Sequence, residues 1–124
     1  MLEIEYKGGN TVIISTKQGT IVVDPKTSVV GLKDTPTKGA IELATEPRFA
    51  LVHPDAKLNL EGPGEFGVSG FDIRGVAAQR HLDSSEVPLG STMYRIEGAD
   101  IRIAVLGNIY EKLTDAQLEE LGII

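Results

Sequence analysis

Several side chains that commonly build active sites are missing or scarce in this sequence. The 124 residues contain no cysteine and no tryptophan, and histidine occurs only as His53 and His81. Without cysteine there is no disulfide, no thiolate nucleophile and no sulfur-ligated zinc site. The histidines are too far apart in sequence to form a metal-binding pair within one helix or strand. The chain therefore carries too few ligands and nucleophiles to build a hydrolytic site unaided.

Cationic residues and long apolar segments are also in short supply. The chain has 12 Lys and Arg against 18 Asp and Glu, a formal charge of −6, and its basic residues are scattered singly, so we expect no nucleic-acid partner. The most apolar stretch, residues 101–109, is interrupted by Arg102 and Gly107 and falls far short of the ~20 residues that span a bilayer. The first five residues lack the basic and apolar regions of a secretory signal, which predicts a cytoplasmic protein without membrane segments.

What the sequence does contain is a succession of short segments typical of strands. Hydrophobic residues make up 41% of the chain, which is enough for one core, and we expect a single domain over residues 1–124. Turn residues between the segments, such as Gly62-Pro63-Gly64 and Ser69-Gly70, predict hairpins in the middle of the chain. The segments predict about nine strands: residues 2–6, 11–16, 20–23, 48–53, 57–61, 65–68, 71–77, 91–96 and 100–106.

Two short helices complete the prediction of a β-rich α/β fold. Apolar residues within Ala40–Ala44 form a helical stripe that Pro47 would end. Near the C-terminus, Thr114 is a candidate N-cap with Gln117 at the capping-box position, and Gly122 would stop the helix. In the polar loop of residues 26–38, the apolar stretch at residues 29–32 is expected to pack down.

The end of the chain has a pattern of its own. The apolar pair Ile123-Ile124 directly follows the predicted helix and its Gly122 stop, which is how an αβ unit enters its next strand. The domain therefore looks truncated.

A few polar residues are candidates for a functional site. Asp24 ends a buried strand, where side chains of layered α/β proteins face the functional edge, although Asp-Pro is also a common turn. His81 follows the predicted strand of residues 71–77, and Asp83 and Glu86 could fix its tautomer, although an exposed loop of mixed charge explains them equally well. No Gly-x-Ser-x-Gly motif is present, so the sequence offers no nucleophile motif for a Ser-His-Asp hydrolase.

Taken together, three stretches resemble the metallo-β-lactamase superfamily. They are Tyr6–Ile14, Thr20–Pro25, and Gly62–Phe66 followed by Ile73–Ala77. The sequence is most similar to the branch of lactonase-like, zinc-dependent hydrolases. In that family two similar halves pack as helix, sheet, sheet, helix, with the metals between the sheets. The resemblance thus implies a half-fold, with mostly antiparallel or mixed sheet.

The resemblance also implies where ligands should lie. The family motif His-x-His-x-Asp-His is expected between Phe49 and Leu60, where only His53 is present. His81 matches the next metal ligand, Asn108 takes the place of the aspartate that bridges two metals, and Asn10 stands where many relatives have histidine. A catalytic zinc needs about three protein ligands and an open position. The family's zinc is therefore not expected here.

Two hypotheses about function follow. The first is a non-catalytic binding module with His81 as a vestigial ligand and Asn10, Asp24, Asp83 and Asn108 as further candidate cleft residues. Its ligand would be a partner, an unidentified small molecule, or a second copy, because a half-fold exposes an apolar sheet face that must be covered. We therefore expect a homo-oligomer. The alternative is a zinc-dependent hydrolase of a phosphoester or lactone, with a site rearranged around His81, Asp24 and Asp83.

Overall fold

The structure, a computed structural model, describes residues 2–78, 90–107, 109 and 113–122. The chain divides into two compact units, residues 1–61 and residues 62–124. Each unit contains one β-sheet, and the described residues form nine strands in total. The predicted β-rich α/β class is confirmed.

The first unit contains a mixed five-stranded sheet. Its strands follow one another across the sheet in chain order. The first three pair antiparallel, whereas the third, fourth and fifth run parallel. The strands are β1 (Glu3–Gly8), β2 (Thr11–Ser15), β3 (Thr20–Val23), β4 (Ile41–Ala44) and β5 (Leu58–Glu61).

The core of this unit lies along the central strands. The register places Ile21 of β3 opposite Ile14 of β2 on one side and Ile41 of β4 on the other, and all three are at most 1% exposed. Val22 is also buried, so β3 is covered on both faces, as its continuous apolar run predicted. Burial of each such side chain contributes about 1.5–3 kcal/mol.

Three predictions in this unit are wrong. Ala40–Ala44 does not form a helix, because residues 41–44 form β4, a parallel strand buried on both faces. Residues 48–53 do not form a strand, because Pro47–Phe49 is a short 3-10 turn. The apolar stretch at residues 29–32 is not buried: Val29, Val30 and Leu32 are 43–52% exposed, although Leu32 lies against Gly8.

The second unit contains an antiparallel four-stranded sheet in chain order. The predicted turn at Ser69-Gly70 is confirmed, and both residues have the positive φ of a type I′ hairpin. The hairpin expected across residues 62–64 is wrong, because the strands on either side belong to different sheets. The strands are β6 (Gly64–Val68), β7 (Phe71–Ala78), β8 (Ser91–Gly98) and β9 (Ile101–Val105).

One α-helix is present among the described residues, α1 (Asp115–Leu121), and it packs on this second sheet through Leu121, which joins the buried cluster of Val76, Ala78 and Met93. The predicted capping box is confirmed: Thr114 Oγ1 accepts from the Gln117 amide at 3.1 Å, and Gln117 Oε1 accepts from the Thr114 amide at 2.8 Å. In the described part of the chain, no helix has the length and apolarity to cross a membrane.

The C-terminal end of α1 is held by two arginines of the sheet. Arg74 Nη1 donates to the carbonyl oxygen of Glu120 at 3.1 Å, and Arg95 Nη1 donates to that of Leu121 at 3.4 Å. The last carbonyls of a helix have no partner within it, and they carry the negative end of the helix dipole. The two guanidinium groups therefore fix the helix to the sheet.

Candidate functional site

Polar side chains gather at one edge of the first sheet. Because β3 and β4 are parallel, their carboxyl ends lie at the same edge, and β2, which is antiparallel to β3, begins there. Thr11 is the first residue of β2, Asp24 directly follows β3, and Thr45 and Glu46 directly follow β4. We call Asn10, Thr11, Asp24, Thr45 and Glu46 the polar edge.

Asp24 is the centre of the polar edge, and its side chain is bonded within the chain. The Thr45 amide donates to Oδ1 at 2.6 Å, and the Thr45 hydroxyl donates to Oδ2 at 2.6 Å. The Thr11 hydroxyl donates to the carbonyl oxygen of Asp24 at 2.5 Å. Asp24 is 1% exposed and has a φ of 51°, a left-handed conformation that aspartate tolerates better than most residues. These bonds tie the ends of β2, β3 and β4 together.

Burial also changes the acidity of Asp24. Loss of solvation raises its pKa from 3.8 to about 6, although the hydrogen bonds from Thr45 oppose the shift. The negative charge of Glu46 raises the pKa further, and the positive charge of Arg48 lowers it. The carboxyl group therefore changes charge in mildly acidic solution.

Glu46 is a second buried acid at this edge, and it binds a cation of the chain itself. Its side chain is 1% exposed, whereas that of Arg48 is 46% exposed. Arg48 Nε donates to Glu46 Oε1 at 3.0 Å, and the guanidinium lies 4.6 Å from the centre of the Phe49 ring. Pro47 begins the 3-10 turn that brings Arg48 back to Glu46. A permanent positive charge thus lies beside the polar edge.

Sequence reasoning missed Glu46 and Arg48. The signal was present, since Glu-Pro-Arg follows a buried apolar run, as Asp-Pro does after β3. The Glu-Pro-Arg segment does not indicate the end of a strand when residues 40–44 are predicted to form a helix.

A third buried acid, Glu42 of β4, anchors the loop that contains His53. Its carboxylate accepts hydrogen bonds from the Val52 amide at 2.6 Å, the His53 amide at 3.3 Å and the Thr37 hydroxyl at 3.1 Å. Val52 has a φ of 54°, which is strained for a β-branched side chain. His53 Nδ1 accepts from the Asp55 amide at 3.0 Å, so the imidazole shapes its own turn.

The structure brings two of the predicted site residues to one place. Asn10 lies in the turn between β1 and β2, directly before Thr11, and is therefore at the same sheet edge as Asp24. His81, Asp83 and Asn108 lie outside the described residues, as does Glu86. Their roles stay predictions.

The described residues do not fit the zinc site of the resemblance. Among them, no group of three His, Cys, Asp or Glu side chains could hold a metal ion. At the polar edge, both carboxylate oxygens of Asp24 accept bonds from Thr45, and the Glu46 carboxylate binds Arg48. A divalent cation would have to compete with these donors for the carboxylate oxygens and lie beside a guanidinium.

The second unit has an open hollow of about 350 Å³ beside the strands of its sheet. Charged side chains from β6, β7 and β8 line it, among them Glu65, Arg74, Arg95 and Glu97. Arg74 pairs with Glu65, and Glu97 pairs with Arg102 of β9. The hollow is a shallow surface of paired charges rather than an apolar ligand cavity.

Comparison with known proteins agrees with this architecture. A family model described as the beta-lactamase superfamily domain matches residues 3–124. A search of curated proteins found no match. A solved structure from Thermotoga maritima, assigned as a zinc-dependent hydrolase of the metallo-β-lactamase superfamily, is similar over 100% of this chain, with a TM-score of 0.74 and 24% identity. The chain covers 58% of that protein.

Two other solved structures are similar over 84% of this chain. One is assigned as a metal-dependent hydrolase from Parabacteroides distasonis, with a TM-score of 0.58 and 15% identity, and this chain covers 59% of it. The other is CmlA, a diiron β-hydroxylase from Streptomyces venezuelae, with a TM-score of 0.57 and 10% identity, of which 29% is covered. At these identities the likeness shows the fold. Because the family model spans nearly the whole sequence, the chain belongs to the metallo-β-lactamase superfamily.

Proposed function

We propose that this chain is a metallo-β-lactamase-fold module that acts by binding rather than by metal-dependent hydrolysis. The observation that carries the proposal is the internal pairing of the acids at the polar edge. Asp24 is bonded by Thr45, and Glu46 is bonded by Arg48. These carboxylates stabilise the fold rather than act as metal ligands.

The electrostatics of the edge support the same conclusion. Arg48 already supplies one positive charge to Glu46, and a guanidinium stays charged at every pH at which the protein is folded. A divalent cation at this edge would be repelled by Arg48 and would need ligands beyond Asp24 and Glu46. Its bonds to these carboxylates would compete with the hydrogen bonds that they already accept.

Elemental analysis of protein purified without chelator tests the proposal. We expect zinc, manganese and iron each far below one ion per chain, before and after incubation with the metal and gel filtration. His81→Ala should leave these values unchanged, and His53→Ala, which removes the other histidine, is the matched control.

The opposite result would favour the alternative function. One tightly held ion per chain that is lost in His81→Ala but kept in His53→Ala would contradict the proposal. It would support a metal-dependent hydrolase of a phosphoester or lactone with His81 as a ligand. Such an ion would have to recruit residues outside the polar edge described above.

A further inference from the structure

The outer strand of the first sheet presents apolar side chains to solvent. β1 forms one end of the strand order and pairs only with β2 among the described strands. Ile4 is 59% exposed and Tyr6 is 68% exposed. An edge strand leaves backbone N–H and C=O groups available for another strand, and exposed apolar residues on it favour such pairing.

We propose that a second copy of this chain pairs with β1, antiparallel to it, and continues the sheet across a two-fold axis. An axis perpendicular to the sheet brings each strand against itself, and a residue then faces one on the same side of the partner strand. The axis must pass through one residue of β1. Ile4, Glu5 and Tyr6 are three of the four interior positions of the strand, and an axis at the fourth, Lys7, would place two lysines opposite each other.

Charge decides among these three registers. With the axis at Ile4, Glu3 faces Glu5 of the other copy. With the axis at Glu5, the two Glu5 side chains face each other, although each Glu3 then faces a Lys7. Like charges directly opposite destabilise a strand pair. With the axis at Tyr6, each Glu5 faces a Lys7, which gives two opposite-charge pairs around a Tyr6–Tyr6 contact. Charged residues usually protect an edge from pairing, but in this register they are complementary.

The side chains are already arranged for this exchange. Lys7 Nζ lies 2.7 Å from Glu5 Oε1 within one copy, so both groups are on the same side of β1. In the Tyr6-centred register, Ile4 lies opposite the end of β1 of the other copy, where the pairing of β1 with β2 shifts between Tyr6 and Gly8. Leu32 covers Gly8 closely, since a Cβ on that glycine would lie 2.6 Å from Leu32 Cδ1. Ile4, Tyr6 and the exposed Leu32 would therefore be covered together.

A charge-swap experiment tests this register. Glu5→Lys places lysine opposite lysine in a homodimer, and Lys7→Glu places glutamate opposite glutamate. Each variant alone should have a dissociation constant raised by at least about tenfold. An equimolar mixture of the two should dimerise again, because every facing pair is then Lys with Glu. Glu119→Lys, an exposed change of the same charge on α1, should dimerise like the unchanged chain.

The measurement is sedimentation velocity over a range of concentrations at low salt, with circular dichroism to confirm that each variant is folded. A monomer at every concentration for the unchanged chain would overturn the proposal. A dimer that both single variants leave intact would overturn it as well, and would assign the contact to another surface. This pairing names a partner left open in the proposed function. It does not depend on the polar edge, so a metal ion found there would leave it standing.

Discussion

At the scale of single residues, buried acids are the most informative feature of this chain. Asp24, Glu42 and Glu46 are each at most 2% exposed. Carboxylates are rarely buried this fully unless they are paired or hydrogen-bonded, and each of these three accepts bonds from the chain. Thr45 lies 21 residues from Asp24 and Val52 lies 10 from Glu42, so no local pattern reveals these pairs, whereas Arg48 is only two residues from Glu46.

Asp24 leads to a prediction about pH. Its pKa is raised to about 6 in the folded protein, above the ordinary value of 3.8, so the folded state holds this proton more tightly than the unfolded state. The contribution of Asp24 to stability is therefore fully present below about pH 4 and is lost as the pH rises to about 6, by up to ~3 kcal/mol.

Asp24→Asn should remove this dependence. The amide side chain keeps an oxygen for the Thr45 amide proton but carries no charge. The free energy of unfolding of the variant should therefore rise relative to that of the unchanged chain as the pH increases from 4 to 6. Urea unfolding at several pH values measures the difference. Two parallel stability profiles across this range would contradict the prediction.

Val52 leads to a second prediction at this scale. It is 61% exposed and holds a positive φ because Glu42 binds its amide. Asparagine tolerates this conformation better than a β-branched residue. Val52→Asn should therefore raise the free energy of unfolding by about 0.5–1 kcal/mol in urea titrations. Val29→Asn replaces another exposed valine, one without a positive φ, and should give no gain.

At the scale of elements, the sequence correctly predicted the features that depend on interactions between residues close in sequence. The capping box and final glycine of α1 are local signals, and the continuous apolar run of β3 is an equally local sign of burial. The prediction of a helix at residues 40–44 was wrong because a short, mostly apolar segment fits either a helix or a buried strand. Only the pairing with β3 and β5 distinguishes the two.

The prediction of a strand at residues 48–53 was wrong for a related reason. Their β-like composition predicts a ladder, but the backbone amides of Val52 and His53 donate to Glu42 instead. The polar edge was predicted only in part: Asp24 followed from its place at the end of a buried strand and Asn10 from the family resemblance, whereas Glu46 and Arg48 required the correct position of β4.

The β6–β7 hairpin leads to a prediction about packing. A Cβ at Gly75 would lie 2.6 Å from the carbonyl oxygen of Gly62 and 3.1 Å from Thr92 Cγ2, so backbone would have to move. Gly75→Ala should lower the free energy of unfolding by about 1–3 kcal/mol. Gly67 in the neighbouring strand has room, since its Cβ would lie 3.6 Å from Asp72 Oδ1. Thermal denaturation should show Gly67→Ala close to the unchanged chain, and equal losses in both variants would contradict this account.

At the scale of the whole molecule, the fold of the family is present, whereas the described residues do not form its zinc site. The family's sheets are present, and each has a core made of the chain's own apolar side chains. The described acids are held by threonine, arginine and backbone amides. If the proposed function is right, packing and internal hydrogen bonds stabilise the protein without a bound ion.

Treatment with a chelator should accordingly leave the protein unchanged. We expect the same melting temperature and the same circular dichroism spectrum before and after dialysis against EDTA, followed by removal of the chelator. A structural or catalytic metal would stabilise the folded state by mass action, and its removal would lower the melting temperature. A drop that added zinc restores would contradict the expectation.

The attachment of α1 has a consequence for the response of the protein to acidic pH. Arg74 and Arg95 hold the helix by its carbonyl oxygens, and neither a guanidinium nor a peptide carbonyl gains or loses a proton between pH 4 and 8. This junction is thus insensitive to the protonation that alters the sheet edge around Asp24. In amide hydrogen exchange corrected for the intrinsic effect of pH, protection at Gly122 should stay constant where protection at Thr45 changes.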